Sequence, residues 1–527
     1  MKKDFIYKNF VRKKVQIHVI ILILFSILAN QYIANRGAFP IDSFIIFDAA
    51  FNIISGNHPF KDYWLITGPF LDYIQSFFFM IFGVSWKSYV LHASILNMIL
   101  TIFSYYFFQN IGLKKNIAFL YSLGVAILAY PSIGSPFVDH HSVIFCILAV
   151  FSFSIGILSK KKIFWFLVPI LLTFSFFSKQ IPSPYFVILF IIFTSIYFFL
   201  KKKIDRNIII SLLLGIFFTL LIILSVFLIN EIPIKNFLIQ YIYYPFSLGN
   251  ERIDKLDFDF KNLIGQFKFI YLALLPLIVS TYFLVKSKVR KDNFNKELIV
   301  SLIFIFTVII LIYCQLLTKN QILIYFLIPV SAAYSHSYVI KYFNKKYLVY
   351  FIIATFIFAT AKYHIRFNEN RKFIELANAD LTLSEDITSL DQRLNGLKWI
   401  TPYYPKQPLK EIKLLLETKN ILLSRDEEKI IITDYQFFNS LLNNRFASPN
   451  KWYDELSIPN KKNIYYDSYK RFFLEKIKMN KIKSIFFIEK SKSEMHFFQE
   501  FKKENDCVIS NEINKLLLEY NIKDCRF

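Results

Sequence analysis

Apolar runs of roughly bilayer-crossing length, separated by short polar connections, fill the first two thirds of the chain, and the pattern changes after Ala361. Runs of about 17 to 25 apolar residues cross a bilayer as helices. Eleven are predicted, beginning near Val15, Trp86, Ile117, His141, Ile163, Tyr185, Ile208, Leu263, Leu298, Ile322 and Tyr347. The first, 15–34, is longer than a signal-peptide core and lacks a small-x-small cleavage site, so it reads as a retained anchor. The run 70–82 is too short to span. Together with a helix predicted over 44–54 it is expected to lie along the outer membrane surface, with Asp48 and Asp72 facing water. Gly56-Asn57 ends the first of these two helices.

Beyond Ala361 hydropathy falls and charges of both signs become frequent. Short β-rich runs (429–433, 484–488) alternate with amphipathic helical stretches (435–443, 469–479, 494–504), the pattern of a small α/β unit. The polar segment 377–398 reads alternatively as a helical linker. The fold class expected is mainly α: a polytopic helix bundle over 1–365, with a first outer loop at 35–85, followed by an α/β domain at 366–527.

Lysine and arginine collect in cytoplasmic loops. With the N-terminus inside and eleven spans, the inner segments hold 23 of them and the outer loops before the tail hold 8: Arg36, Lys61, Lys179, Lys235, Arg252, Lys255, Lys261 and Lys319. Shifting the frame by one span destroys the contrast. The N-terminus is therefore expected in the cytoplasm and the C-terminal region outside. Most of the formal charge of +24 is a topology signal, and a nucleic-acid partner is not expected. Acidic residues show the opposite bias, with Asp42, Asp48, Asp62, Asp72, Asp139 and Glu231 all outside. The charged loop Glu251, Arg252, Asp254, Asp257 and Asp259 reads as a solvated face.

Composition agrees with the patterning. The chain is 55% hydrophobic, with 62 Phe and a mean hydropathy of +0.42, more than a soluble core of this length requires. Of four cysteines, Cys146 and Cys314 lie in spans. Cys507 and Cys525 lie in the outer region, where a disulfide is permitted, although spacing alone does not decide their pairing.

The outer segment from Gly37 to Gly83 is richer than a connector requires. Four aspartates, Asp42, Asp48, Asp62 and Asp72, sit among aromatics and the turn dipeptides His58-Pro59 and Gly68-Pro69, as in a loop that positions chemistry. Lys179, at the outer end of a span and followed by Pro182 and Pro184, is a candidate phosphate contact or a snorkelling lysine. Lys61, Arg252 and Lys319 are weaker candidates. In the outer turn 135–142, Asp139, His140 and His141 are open to three readings. They are a helix cap by Asp139, a sugar or phosphate contact, and an incomplete metal site, since adjacent histidines on a helix point about 100° apart. Trp452 and Tyr453 beside Asp454 suit a sugar platform, the alternative being core burial of Trp452.

An outward Asp42 soon after the first span, the G-x-x-P-[FY]-x-D segment (Gly56, Pro59, Phe60, Asp62), and Gly68-Pro69 before an apolar stretch resemble the polytopic C-type glycosyltransferases. That superfamily includes the protein mannosyltransferases and the aminoarabinose transferases of lipid A. The resemblance implies a sugar donor on a polyprenyl phosphate and a glycan, lipid or protein acceptor. It also implies inverting transfer to an acceptor hydroxyl on the extracytoplasmic face of a bacterial plasma or inner membrane, in cell-envelope glycan biosynthesis. It makes Asp42 the acceptor-facing acid, with Asp48 as the neighbouring catalytic candidate, and Lys61, Asp62, Asp139, His140, His141 and Lys179 as substrate-binding candidates. No cofactor is specified; members differ in whether they use a divalent metal. Many relatives carry Asp-Glu where this chain has Asp42-Ser43, and Lys-Pro where it has Gly68-Pro69.

Two other functions share this layout. A transporter or flippase of lipid-linked sugars would place ionisable groups near the bilayer midplane, where these spans are almost free of charge. A glycan polymerase or ligase would be expected to use arginines in a large outer loop, and 231–261 holds one.

Overall fold

A computed structural model describes residues 2–253, 259–286, 292–318, 324–444 and 448–526. The side chains of Glu251 and Arg252, and the whole of Asp254, Asp257 and Lys319, lie outside the described residues.

Each of the eleven apolar runs is a helix: α1 (Lys2–Ala34), α5 (Trp86–Asn110), α6 (Lys115–Leu128), α7 (Val138–Ser159), α8 (Lys162–Ser178), α9 (Ser183–Lys201), α10 (Arg206–Ile229), α13 (Lys268–Lys286), α14 (Asp292–Thr318), α15 (Leu327–Tyr342) and α16 (Lys346–Tyr363). Among the described residues eight helices are long and apolar enough to cross a membrane. α7 is the central one, buried along nearly its whole length. α10 is the most exposed, its Leu, Ile and Phe side chains turned outward as lipid requires. α13 starts at Lys268, five residues later than the hydropathy run, so its lysine stands at a helix end rather than inside a span.

The segment 35–85 between α1 and α5, expected from the sequence to be the first outer segment and called so below, carries α2 (Pro40–Ser43), α3 (Phe47–Ile54) and α4 (Pro69–Phe82). α3 does stop at Ser55 with Gly56 in the left-handed region (φ +87°). Short helices α11 (Ile234–Phe237) and α12 (Tyr244–Ile253) lie in the loop before α13.

The C-terminal region combines α17 (Pro408–Leu423), α18 (Phe438–Leu441), α19 (Tyr466–Met479) and α20 (His496–Glu504) with two sheets. β1 (Glu385–Asp386) pairs antiparallel with β2 (Lys398–Trp399). The main sheet orders β3 (Lys429–Ile432), β4 (Ser484–Ile488), β6 (Leu517–Asn521) and β5 (Ile509–Glu512), with β3 and β4 parallel and the other pairs antiparallel. Alternate residues face opposite sides of a strand. Ile430, Ile432, Ile485 and Phe487 therefore pack on α19 and α20. Ile431, Phe486 and Ile488 join a core that contains Ile412, Leu415 and Leu422 of α17 together with Phe44, Phe47, Trp86 and Tyr89, so the second face of this sheet shares one core with α17 and the first outer segment.

Segment 377–398 is not a helical linker. Asp380, Asp386 and Asp391 each accept from the backbone N–H two residues on, which diverts the chain into single 3₁₀ turns. Cys507 and Cys525 form a disulfide.

Candidate active site

Asp42 sits on the one-turn helix α2. Pro40 supplies the helical φ at its first position, and Ser43 returns its Oγ to the Phe39 N–H at 3.0 Å. The extended segment leading into it is fixed by the C-terminal region, Gly37 N–H donating to the Lys398 carbonyl (2.9 Å) and Ala38 N–H to that of Ile400 (3.0 Å). Gly37 is required there, because its φ is +78° and a Cβ would meet Leu376 at 2.3 Å. The half-buried Asp42 carboxylate makes no hydrogen bond or ion pair with another described residue. Its pKa is pushed up to about 7, first by burial and then by the charges of Asp139, Asp454, Asp434 and Glu375.

Those neighbours arrive from separate parts of the chain. Asp139, in the first turn of α7, does not cap that helix; it pairs with Lys179, just past the end of α8, at 2.5 Å. The two turns are also stitched by Ser142, whose Oγ reaches the carbonyls of Lys179 and Ile181 at 3.3 Å. From the C-terminal region, Asp434 follows the parallel strand β3 and is held by Lys492 (2.8 Å) and the Tyr403 hydroxyl (3.0 Å). Lys492 also donates to the Tyr453 carbonyl at 2.8 Å, beside Asp454. The chain thus brings Asp42, Asp139 and Lys179 together and adds Asp434, Asp454 and Lys492. Only Asp454 carried a sequence signal; Asp434 and Lys492 belong to no motif, and strand ends alone position them.

The remaining candidates are engaged elsewhere. Asp48 and Asp72 do not face water: both are buried against the C-terminal region. Asp48 accepts from the backbone N–H groups of Asn439 and Ser440, each at 3.0 Å, at the start of α18, and burial lifts its pKa to about 7. Asp72 forms a fully buried ion pair with Lys451 and accepts from the Tyr63 hydroxyl at 3.1 Å. The polar face of α3 and α4 is thus covered by protein. Lys61 pairs with Glu231 (3.1 Å) and Asp62 with Lys476 (3.2 Å). His140 Nε2 meets the Ser132 hydroxyl at 3.1 Å, whereas His141 runs to Tyr130 (2.6 Å) and His92 (2.9 Å). The two rings have separate partners, and among the described residues no group of three His, Cys, Asp or Glu stands close enough to hold a metal. Trp452 is half-buried and packs against the core that contains Phe44 and Trp399, whereas its neighbour Tyr453 is fully buried.

Gly68 explains the departure from Lys-Pro. With φ +81°, a Cβ there would meet Val138 at 2.6 Å, leaving no room for a side chain. The ammonium of Lys451 lies 3.2 Å from that Cβ position, so a cation occupies this corner from a different part of the chain.

Below the polar cluster lies apolar space. A cavity of about 870 Å³ opens between α8, α9 and α10, lined by residues including Phe176, Phe177, Val187 and Ile223. A second, about 200 Å³, adjoins the segment 35–85 at Phe60 and Phe70 and α10 at Phe227. Thr173, Phe177, Thr219 and Ile223 line both, and Lys179 follows Phe177 by two residues. The arrangement can place an apolar chain in the membrane with a polar head beside Lys179.

No protein-family model matches the chain, and no curated protein sequence matches it. Solved structures with some similarity include the Archaeoglobus fulgidus oligosaccharyltransferase in complex with Zn and sulfate (13% identity, TM-score 0.45, covering 96% of this chain and 73% of that one). Archaeal oligosaccharyltransferase AglB from the same organism, with an inhibitory peptide and a dolichol-phosphate, has 12% identity and a TM-score of 0.43, covering 97% and 75%. The apo form gives 13% and 0.45, covering 90% and 70%. TM-scores below one half leave the functional reading to this chain's own residues.

Proposed function

We propose that this chain is a membrane glycosyltransferase that moves a sugar from a polyprenyl-phosphate-linked donor to an acceptor hydroxyl on the extracytoplasmic face, with inversion. The observation that carries the reading is an unpartnered carboxylate, Asp42, held beside the Asp139–Lys179 pair at the outer ends of α7 and α8. The motif resemblance around Asp42, Gly56, Pro59, Asp62 and Gly68-Pro69 supports it independently.

In this mechanism the ionised Asp42 orients the acceptor hydroxyl and takes its proton as the oxygen attacks the anomeric carbon. The bond from that carbon to the phosphate oxygen breaks, and polyprenyl phosphate leaves. Lys179 meets the phosphate and stabilises its growing charge, while the prenyl chain lies in the apolar space of α8 to α10. Asp434, Asp454 and Lys492 line the acceptor side. A pKa near 7 suits a base that must accept a proton and give it up again at neutral pH.

Analysis of lipid-linked sugars in a deletion strain tests the reading. The strain should accumulate one polyprenyl-phosphate sugar and lose one envelope modification, both restored by the wild-type gene. A strain whose lipid-linked sugar is made but stays on the inner leaflet would instead indicate a flippase.

A further inference from the structure

Arg371 stands where the two backbone segments leading to the site meet. It is buried, 1% exposed, and makes no ion pair among the described residues. Its guanidinium is satisfied by four carbonyls: Nε donates to Arg36 (3.1 Å), Nη1 to Pro131 (3.1 Å) and Ser132 (3.3 Å), and Nη2 to Ile133 (2.9 Å). Arg36 immediately precedes the extended segment 37–39 that leads into α2 and Asp42, whereas 131–133 belong to the α6–α7 loop, after which Asp139 is the second residue of α7.

The path on each side is short and rigid. After Arg36, Gly37 and Ala38 are bonded to the 398–400 backbone and α2 follows. After Ser132, its own hydroxyl meets His140 Nε2 at 3.1 Å, adjacent to Asp139. The same loop is pinned on its other flank by Asn30, whose Nδ2 donates to the Gly134 carbonyl at 3.0 Å. A planar guanidinium with five fixed donors can hold four carbonyls at once, and an ammonium cannot reproduce that fork.

We propose that Arg371 is a positioning residue for this site, setting the separation of Asp42 and Asp139 by bonding the backbone that leads to each. The inference rests on the glycosyltransferase reading above and assigns Arg371 no contact with substrate. Its consequence is electrostatic as well as geometric. The titratable groups facing Asp42 are Asp139 from α7 and Asp434, Asp454, Glu375 and the Tyr403 hydroxyl from the C-terminal region, with Lys179 paired to Asp139 and Lys492 to Asp434. If the α6–α7 loop drifts outward, Asp42 loses both the neighbouring negative charge and part of its burial. Both changes lower its pKa.

The test is Arg371→Lys in the full chain, assayed with the lipid extract of the deletion strain as donor source and normalised to folded protein by size exclusion. kcat should fall at least about tenfold, since misplacement by about 1 Å can cost a hundredfold, with KM for the lipid within about twofold. The acid limb of the kcat profile should move to lower pH by about half a unit or more. Unchanged kcat and an unmoved limb in the folded fraction would overturn the proposal, leaving Arg371 a packing residue. Should Arg371→Lys not accumulate, Asn30→Ala loosens the same loop from the other side. It should move the limb in the same direction, and an unmoved limb there counts equally against the proposal. Asp42→Asn run in parallel separates the two levels: retained transfer in that variant defeats the glycosyltransferase reading, whereas lost transfer with a silent Arg371→Lys defeats this inference alone.

Discussion

Lys451 and Asp72 join the C-terminal region to the first outer segment through an ion pair with side chains 3% and 0% exposed. In Lys451→Met the Asp72 carboxylate keeps the Tyr63 hydroxyl but loses its countercharge, and breaking a pair this deeply buried costs about 3 to 5 kcal/mol. The backbone around it holds independently, Trp64 N–H donating to Pro449 (2.8 Å) and Lys451 N–H to Trp64 (3.0 Å), so the lower end applies. For a cooperative unit of about 200 residues, roughly 3 kcal/mol lowers the midpoint by about 6 to 12 °C. The assay is thermal unfolding of the detergent-solubilised chain followed by tryptophan fluorescence. The double variant Asp72→Leu/Lys451→Met removes both charges and should recover most of the loss. If Lys451→Met melts within about 2 °C of wild type, or the double variant is worse than the single one, the pair does not couple the two regions as argued.

Three further outcomes are expected. Removing the Cys507–Cys525 bond, which closes a loop over a sequence separation of 18, should cost about 3 kcal/mol, read as a lower denaturant midpoint for Cys507→Ser/Cys525→Ser than for the oxidised wild type; an unchanged midpoint would contradict this. Lys179→Ala should raise KM for the lipid donor several-fold with normal protein levels, and an unchanged KM would return Lys179 to a snorkelling or purely ion-pairing role. A reporter fused at Phe527 should be active only in its export-dependent form, because the cation distribution places the C-terminus outside; cytoplasmic reporter activity would contradict the orientation.

The helices of the bundle are legible because each is an uninterrupted apolar run, and length and hydropathy suffice to find it. The loop aspartates are less so. The amphipathic pattern of α3 and α4 marks Asp48 and Asp72 as a polar face, but periodicity says only that such a face needs polar partners. Here they are the α18 backbone and Lys451, nearly 400 residues further on. Gly68 misleads in the same way, since the cation at that corner comes from Lys451. Asp42, Asp139 and Lys179 can be singled out because each follows or precedes a span end on the acidic side that the cation distribution predicts to be outer. Asp434 and Lys492 leave no local mark, as their place depends on strands β3 and β4 pairing in register. The diversion of 377–398 into 3₁₀ turns is, in retrospect, local chemistry: three aspartates spaced to bond their own backbone.

The central claim is that the Asp42 carboxylate is the base, and Asp42→Asn tests it most directly, because the change keeps the shape and removes the charge. Wild-type transfer should rise as pH is raised through about 7, since a carboxyl held above its ordinary range must lose its proton before it can accept one. A positioned base contributes about 10² to 10⁴ in rate. Transfer by Asp42→Asn should therefore fall at least about tenfold at pH 8, with expression and melting near wild type, and its residual activity should lose the limb near 7. Asp48→Asn, which trades a carboxylate bonded to two backbone N–H groups, should lower stability more than the turnover of the folded fraction. Near-normal transfer by Asp42→Asn with the limb intact would contradict the account.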